Sequence, residues 1–310
     1  MTGIKPKTRW ERAWIAIKRD KFLFLLLIPA IAYYVTFFYI PIGGIVIAFK
    51  NYMPGHGVYY GTWVGLKWFR QFFNSVFAYR LIRNTVLINL YSILFGFPVP
   101  ILFAICVSEI RNMKLRRTVQ TVSYLPHFVS TVAMVGIIKN LLHLNDGLVN
   151  VIIMKLGGEQ LNFLMIPSAF RTIYVGSGIW QSFGFSSIIY IAAIVGIDPT
   201  LYEAGKIDGI SKFQEARYIT IPMISQTIII LFILRLGSIM SVGFEKVFLM
   251  YNESVYETAD VISTYVYRKG IESANYSFSA AVGLVNSVIN FVFVFGANWL
   301  SRKLTDMSLW

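Results

Sequence analysis

Few residue types able to do catalysis stand close enough in this sequence to act together. The three histidines, His56, His127 and His143, are scattered and none falls in an HExxH pattern, so spacing offers no metal-ligand set. No GxxxxGK[ST] loop occurs, which removes ATP binding through a phosphate-cradling loop of the chain's own, and there is no GxSxG nucleophile elbow. The single cysteine, Cys106, lies in an apolar run and reads as a small core residue. The segment with the clearest pattern is mechanical: residues 198–222, DPTLYEAGKIDGISKFQEARYITIP. Asp198 is placed to cap a helix whose first residue, Pro199, has no N–H to leave unsatisfied. Leu201, Ala204, Ile207 and Ile210 recur at roughly helical spacing. Gly209 breaks this helix, and Ser211 with Gln214 forms an S-x-x-Q box that starts a second, carrying Phe213 and Ala216 and ending near Pro222. Two short helices hinged at a glycine either dock a partner or pack on their own bundle, and the residues alone leave both open.

The elements that must hold this segment are membrane spans. Of 310 residues 56% are hydrophobic and 14% charged, whereas soluble domains carry about 25% charged residues. A net charge of +13 would suggest nucleic acid in a soluble protein; in a membrane chain it belongs to the cytoplasmic ends of helices, and no nucleic-acid partner is expected. The stretches 22–49, 84–108, 118–138, 172–197, 218–244 (interrupted by Arg235) and 273–301 are free of acidic and basic residues. Each is long enough for a helix to cross the bilayer, and lipid leaves free backbone groups no alternative. The expectation is an all-α integral membrane protein of six transmembrane helices, with 148–154 too short to cross.

With an N-terminus in the cytoplasm, that side carries 16 Lys and Arg against 11 opposite, led by the tail and by Arg111, Lys114, Arg116 and Arg117. Both termini are therefore expected in the cytoplasm. Residues 1–21 read as a basic N-terminal segment, with Trp10, Ala13, Trp14 and Ile17 on one face of an interfacial helix and Arg12, Lys18 and Arg19 beside it. The 28-residue apolar run that follows, with Pro29 and Pro41, exceeds a cleavable signal. Residues 22–301 form the span domain, and 302–310 a short cytoplasmic tail.

Glu203-Ala204-Gly205, then Gly209, Ile219 and Pro222, resembles the EAA motif of importer-type ABC transporter permeases, E-A-A-x3-G-x9-I-x-L-P, with departures at Gly205 and Ile221. The stretches LRLGSIMSVGFEKVFLMYN and YETADVISTYVYRKG, within 234–270, resemble the LplB-like branch of binding-protein-dependent carbohydrate permeases. The resemblance implies a type I ABC importer permease fold in a bacterial cytoplasmic (inner) membrane, with the EAA loop 198–222 as cytoplasmic coupling element between spans four and five. It implies a second homologous permease forming a heterodimer, two ATPase subunits, an extracytoplasmic solute-binding protein, and a carbohydrate substrate of oligosaccharides or polysaccharide fragments. This chain would hold no cofactor; ATP and Mg would be bound by the ATPase, and the chain would not itself be an enzyme. Glu203, Ala204, Gly205, Asp208, Gly209, Ile219 and Pro222 would couple it to that ATPase.

A sugar pathway needs polar groups and aromatic faces inside apolar helices. The candidates are Trp180, Gln181 and Ser182 in span four; Arg235, Ser238 and Ser241 in span five; and Glu245, Tyr251 and Asn252 just beyond. Arg235 reads either as a sugar or gating contact or as half of an ion pair with Glu245, and Trp180 either as a stacking platform or as a packing residue. The Gly- and aromatic-rich loop 50–80 reads as a cap over the helices or a platform for the binding protein. An ATP-independent carrier or channel is the competing function, although no carboxylate lies within any span to couple ions.

Overall fold

The computed structural model describes Ile15, residues 18–237 and residues 239–305. Most of the interfacial helix expected over 9–19, the residue Ser238 and the last five residues of the tail lie outside these. The chain is helical nearly throughout. In order it forms α1 (Lys21–Phe49), a two-residue hairpin (Lys50–Asn51 with Thr62–Trp63), α2 (Lys67–Phe73), α3 (Ala78–Ser108), α4 (Met113–Phe128) and α5 (Thr131–Leu141). There follow α6 (Leu148–Lys155), α7 (Pro167–Val195), α8 (Pro199–Ile207), α9 (Lys212–Met223), α10 (Ser225–Leu236), α11 (Phe244–Met250), α12 (Ile262–Tyr267) and α13 (Tyr276–Thr305).

Among the described residues α1, α3, α7 and α13 include helices long and apolar enough to cross a membrane, and counting each of two bent pairs as one span brings the number to six. The third and fifth spans thus depart from the uninterrupted rods that their apolar runs suggest. α4 and α5 meet at 100°. Leu125–Phe128, with Pro126, tightens into a 3₁₀ turn, Val129 is extended, and the Ser130 hydroxyl accepts from the Ala133 N–H to start α5 in a new direction. α9 and α10 meet at 67°. α9 is wound as a π-helix over Ala216–Thr220 and then meets Pro222, which has no N–H for a continuous ladder. The fifth run also ends as a helix at Leu236, short of the expected 244.

The core is assembled in layers along the bundle. At one end Trp68, Phe72, Leu81, Tyr265 and Phe278 pack together; at the other, Ala104, Val107, Tyr190, Ile194 and Ile224 do so. Loop 50–77 is a cap: the Trp68 indole donates to Lys50 O at 2.9 Å, and Tyr52 N–H to the Ser277 hydroxyl at 2.9 Å, at the start of α13. α1 buries nothing along 21–42 and joins the bundle through its last turns, where Ala48 is buried. Its outer surface of Phe, Leu, Ile and Tyr suits lipid, which is as apolar as the side chains themselves.

α7 crosses α4 at Gly184 with no room for a side chain, since a Cβ there would lie 2.1 Å from the Ser123 carbonyl oxygen. Gly184→Val should therefore force the two helices apart and destabilise the bundle by about 1–3 kcal/mol. Gly176→Ala, on the same helix in open space, should be neutral or stabilising. Thermal unfolding in detergent distinguishes the pair.

Candidate functional site

The hinged segment is built largely as its residues dictate. The Asp198 carboxylate accepts from Thr200 N–H at 2.9 Å, and Pro199 opens α8. That bond, aided by the Thr200 hydroxyl, holds the Asp198 carboxyl below the usual carboxylate range, so the charged cap weakens only as the pH falls into the acid range. At the other end of α8, Gly209 has φ +71° and closes a Schellman motif: Ile210 N–H bonds Gly205 O at 3.1 Å, and Gly209 N–H bonds Lys206 O at 3.2 Å. Ser211 and Gln214 make a reciprocal capping box that launches α9.

The inner side of α8 consists of Tyr202 and Gly205. The Tyr202 hydroxyl reaches Thr220 Oγ1 at 3.2 Å. A Cβ on Gly205 would sit 2.7 Å from Ile210 Cδ1 and 3.1 Å from Ile219 Cδ1, so glycine admits both isoleucines. Lys212 fastens the base, with Nζ 2.8 Å from Glu109 Oε2 and 2.7 Å from the buried Glu215. Glu109 lies between α3 and α4, which places that turn and the hinged segment at one end of the bundle.

Because its inner face is so shallow, the remaining residues of the segment face outward. Glu203, Ala204, Asp208, Gly209 and Pro222 are exposed and Ile219 is half-buried. Ile207 is 87% exposed, Phe213 74% and Tyr218 66%. Of the apolar row Leu201, Ala204, Ile207 and Ile210, drawn from the sequence as one face, the first three are exposed and only Ile210 is half-buried, beside Gly205. The element is thus ordered by caps and a salt bridge, with large apolar side chains turned outward.

The proposed pathway residues separate into two groups. A cavity of about 670 Å³ opens midway along the bundle between α3, α7, α10 and α11, lined by Gln181, Ser182, Arg235, Ser241 and Lys246 among others. Gln181 donates to Val129 O at 3.0 Å, satisfying the carbonyl at the bend between α4 and α5. Lys246 donates to Tyr174 O at 2.9 Å and lies 4.7 Å above the Tyr174 ring. Trp180, 47% exposed, and the exposed Glu245 do not line this cavity.

Tyr251 and Asn252 are engaged elsewhere, in a polar network at the end opposite the hinged segment. Asn252 donates to Leu164 O at 2.9 Å and caps the turn at Ser254, while the Arg268 guanidinium approaches the Tyr251 hydroxyl at 3.4 Å. The centre of that network is Asp260, fully buried, 2.6 Å from Arg268 Nη2 and 2.8 Å from the Thr264 hydroxyl. Burial alone would lower the Arg268 pKa, but the bonds to Asp260 and Tyr251 outweigh it and raise the value above the ordinary one. Asn84 ties the network to the spans, donating to Asp260 O and accepting from Arg171.

Lys246 and Asp260 were not among the sequence candidates. The signal for Lys246 was the one that singled out Arg235, a charge within apolar surroundings, but an assumed fifth span ending at 244 left it outside. Asp260 sits in a polar stretch where one carboxylate looks like any other.

Four to six apolar spans with a polar cavity between them fit the membrane subunit of a transporter. Residues 96–306 match the family described as binding-protein-dependent transport system inner membrane component, and the chain belongs to it. Protein LplB of Bacillus subtilis (strain 168) is 41% identical over 298 residues, covering 96% of this chain and 94% of the relative. The polygalacturonan/rhamnogalacturonan transport system permease protein YteP of the same strain is 38% identical over 307 residues, covering 99% and 96%. Among solved structures, a bacterial alginate ABC transporter in complex with an alginate pentasaccharide-bound periplasmic protein includes a chain 41% identical to this one. Their TM-score is 0.89, over 96% of this chain and all of the other. Family membership replaces the carrier and channel readings.

The left-handed backbone at Gly209 gives a local test. Gly209→Val should cost about 1–2 kcal/mol and unlatch the Schellman turn, whereas Gly209→Asn should retain it. Hydrogen exchange at the Ile210 amide reads the difference: fast in the valine variant, near wild type in the asparagine variant.

Proposed function

We propose that this chain is the membrane-spanning permease subunit of an ABC importer for oligosaccharides, driven by ATP hydrolysis on a separate subunit that docks on residues 198–222. The observation that carries the coupling role is the outward apolar surface of Ile207, Phe213 and Tyr218 on an element anchored by Lys212, Glu109 and Glu215. A surface of this size exposed to water favours a partner. The rigid base lets movement of that partner pass into α9 and α10, whose bend at Ile224 joins the docking element to a wall of the cavity. Glu203, exposed beside this surface, supplies a charge for a basic group on the ATPase. Alternating access then follows as a population shift between inward- and outward-open states.

A second permease would complete the pathway, and a solute-binding protein would deliver the sugar to the end capped by loop 50–77. The polygalacturonan/rhamnogalacturonan permease similar to the chain supports this reading, and the alginate transporter was solved in complex with such a binding protein. The docking end would face the cytoplasm, in keeping with Arg111, Lys114, Arg116 and Arg117 there.

Glu203→Lys should lower oligosaccharide uptake at least tenfold, with normal amounts of protein in the membrane. In a Cys106→Ser background, Ile207→Cys should crosslink to the ATPase subunit of the assembled importer. Normal uptake by the lysine variant, together with no crosslink to an ATPase, would overturn the coupling role.

A further inference from the structure

α3 and α7 also border a groove of about 920 Å³, which extends from Pro167 and Thr258 along α7 to Ile179, with Tyr91 and Phe95 of α3 on its other side. Its α7 wall carries Ser168, Thr172 and Gly176, one turn apart and all exposed. A Cβ on Gly176 would meet nothing within 4 Å. The lipid-suited face of α1, by contrast, is Phe, Leu, Ile and Tyr. Small residues on the exposed face of a span let another helix approach closely.

Two further observations identify the occupant. The first is charge. At the mouth of the groove Arg171 Nη2 donates to the Asn84 amide oxygen at 2.8 Å, while Arg83 Nη2 and Asn84 Nδ2 both donate to Glu257 O, at 3.2 and 3.0 Å. The Nε groups of Arg83 and Arg171 are buried without an acceptor, and neither guanidinium joins an ion pair among the described residues. Glu257 lines the groove as well, but its carboxylate is exposed and pairs with neither. Buried donors left unmet are costly, and a carboxylate from outside the chain would meet them with charge-assisted bonds.

The second observation is position. Val175 and Ile179 line both this groove and the cavity that holds Gln181, Arg235 and Lys246. Whatever fills the groove therefore flanks the cavity. Acyl chains would wall a polar pathway with hydrocarbon, whereas a protein surface can continue its polar lining. We infer that the groove receives a membrane helix of the second permease, with large side chains against Ser168, Thr172 and Gly176 and a carboxylate beside Arg83 and Arg171. Trp180, one turn beyond Gly176 and 47% exposed, extends the same surface. This inference rests on the importer function proposed above and names the face through which its two permeases meet.

The test uses the assembled importer, both permeases with the ATPase and the binding protein, in nanodiscs. In a Cys106→Ser background, Ser168→Cys and Thr172→Cys should each form a disulfide, under copper phenanthroline, with cysteines scanned along one span of the second permease. Gly176→Trp should lower co-purification of that permease tenfold or more and leave thermal unfolding of this chain in detergent near wild type, because within the chain the position is open. Gly176→Ala should retain the partner. Arg171→Gln, and neutralisation of a carboxylate on the crosslinked span, should each lower recovery several-fold, and together no more than either alone. Absence of these disulfides, labelling of both cysteines by a thiol-reactive lipid in the assembled complex, or full recovery of the second permease with Gly176→Trp overturns the inference and leaves the importer function standing. A wild-type preparation that recovers no second permease overturns both.

Discussion

Hydrocarbon offers no partner to a peptide N–H, a carbonyl or a charge, and that constraint organises the molecule. At several points where the chain stops being a regular helix, another group takes over. The break at Val129 is met by Gln181, and the turn after α8 by its own Schellman bonds. The buried carboxylate of Asp260 is met by Arg268 and Thr264. Charges left at depth gather around a cavity instead of facing lipid. The same rule lets α1 present an almost unbroken apolar surface with nothing buried along most of its length.

The two ends of the bundle solve different problems. At the end capped by loop 50–77, side-chain hydrogen bonds and ion pairs connect α3, α7 and the stretch from Tyr251 to Arg268 into one body. At the opposite end the hinged segment is fastened by Lys212 at the base of α9 and by Tyr202, which packs against the core and reaches Thr220. The hinged element is therefore ordered within itself while its apolar side chains remain free to meet another surface.

The bends at Val129 and Ile224 link these regions to the cavity. Each falls where a proline weakens the helix ladder, and each brings a wall of the cavity near a break in a span: Gln181 bonds at the first, and Leu231 and Arg235 follow the second. A straight six-rod bundle would pack its faces more completely and leave less room for a polar substrate. The volume between the spans is thus tied to the irregularities in them.

Much of this was legible in the sequence because it is local. Hydrophobic run length marked the spans, and Asp198, Gly209, Ser211 and Gln214 specified the caps and turn of the hinged segment within a few residues of themselves, as the structure bears out. Caps and left-handed turns depend on neighbours in the chain, so residue type and spacing suffice. The charged interior did not yield in the same way. Nothing within the chain's own local pattern says that Lys246 would lie over Tyr174, 72 residues away, or that Trp180 would turn aside while Gln181 entered the cavity. Nor does it show that Asn252 would be taken up by Leu164 O or that Asp260 would be sealed beneath Arg268. Those outcomes depend on which helix faces meet and at what angle, and only the packed bundle decides that.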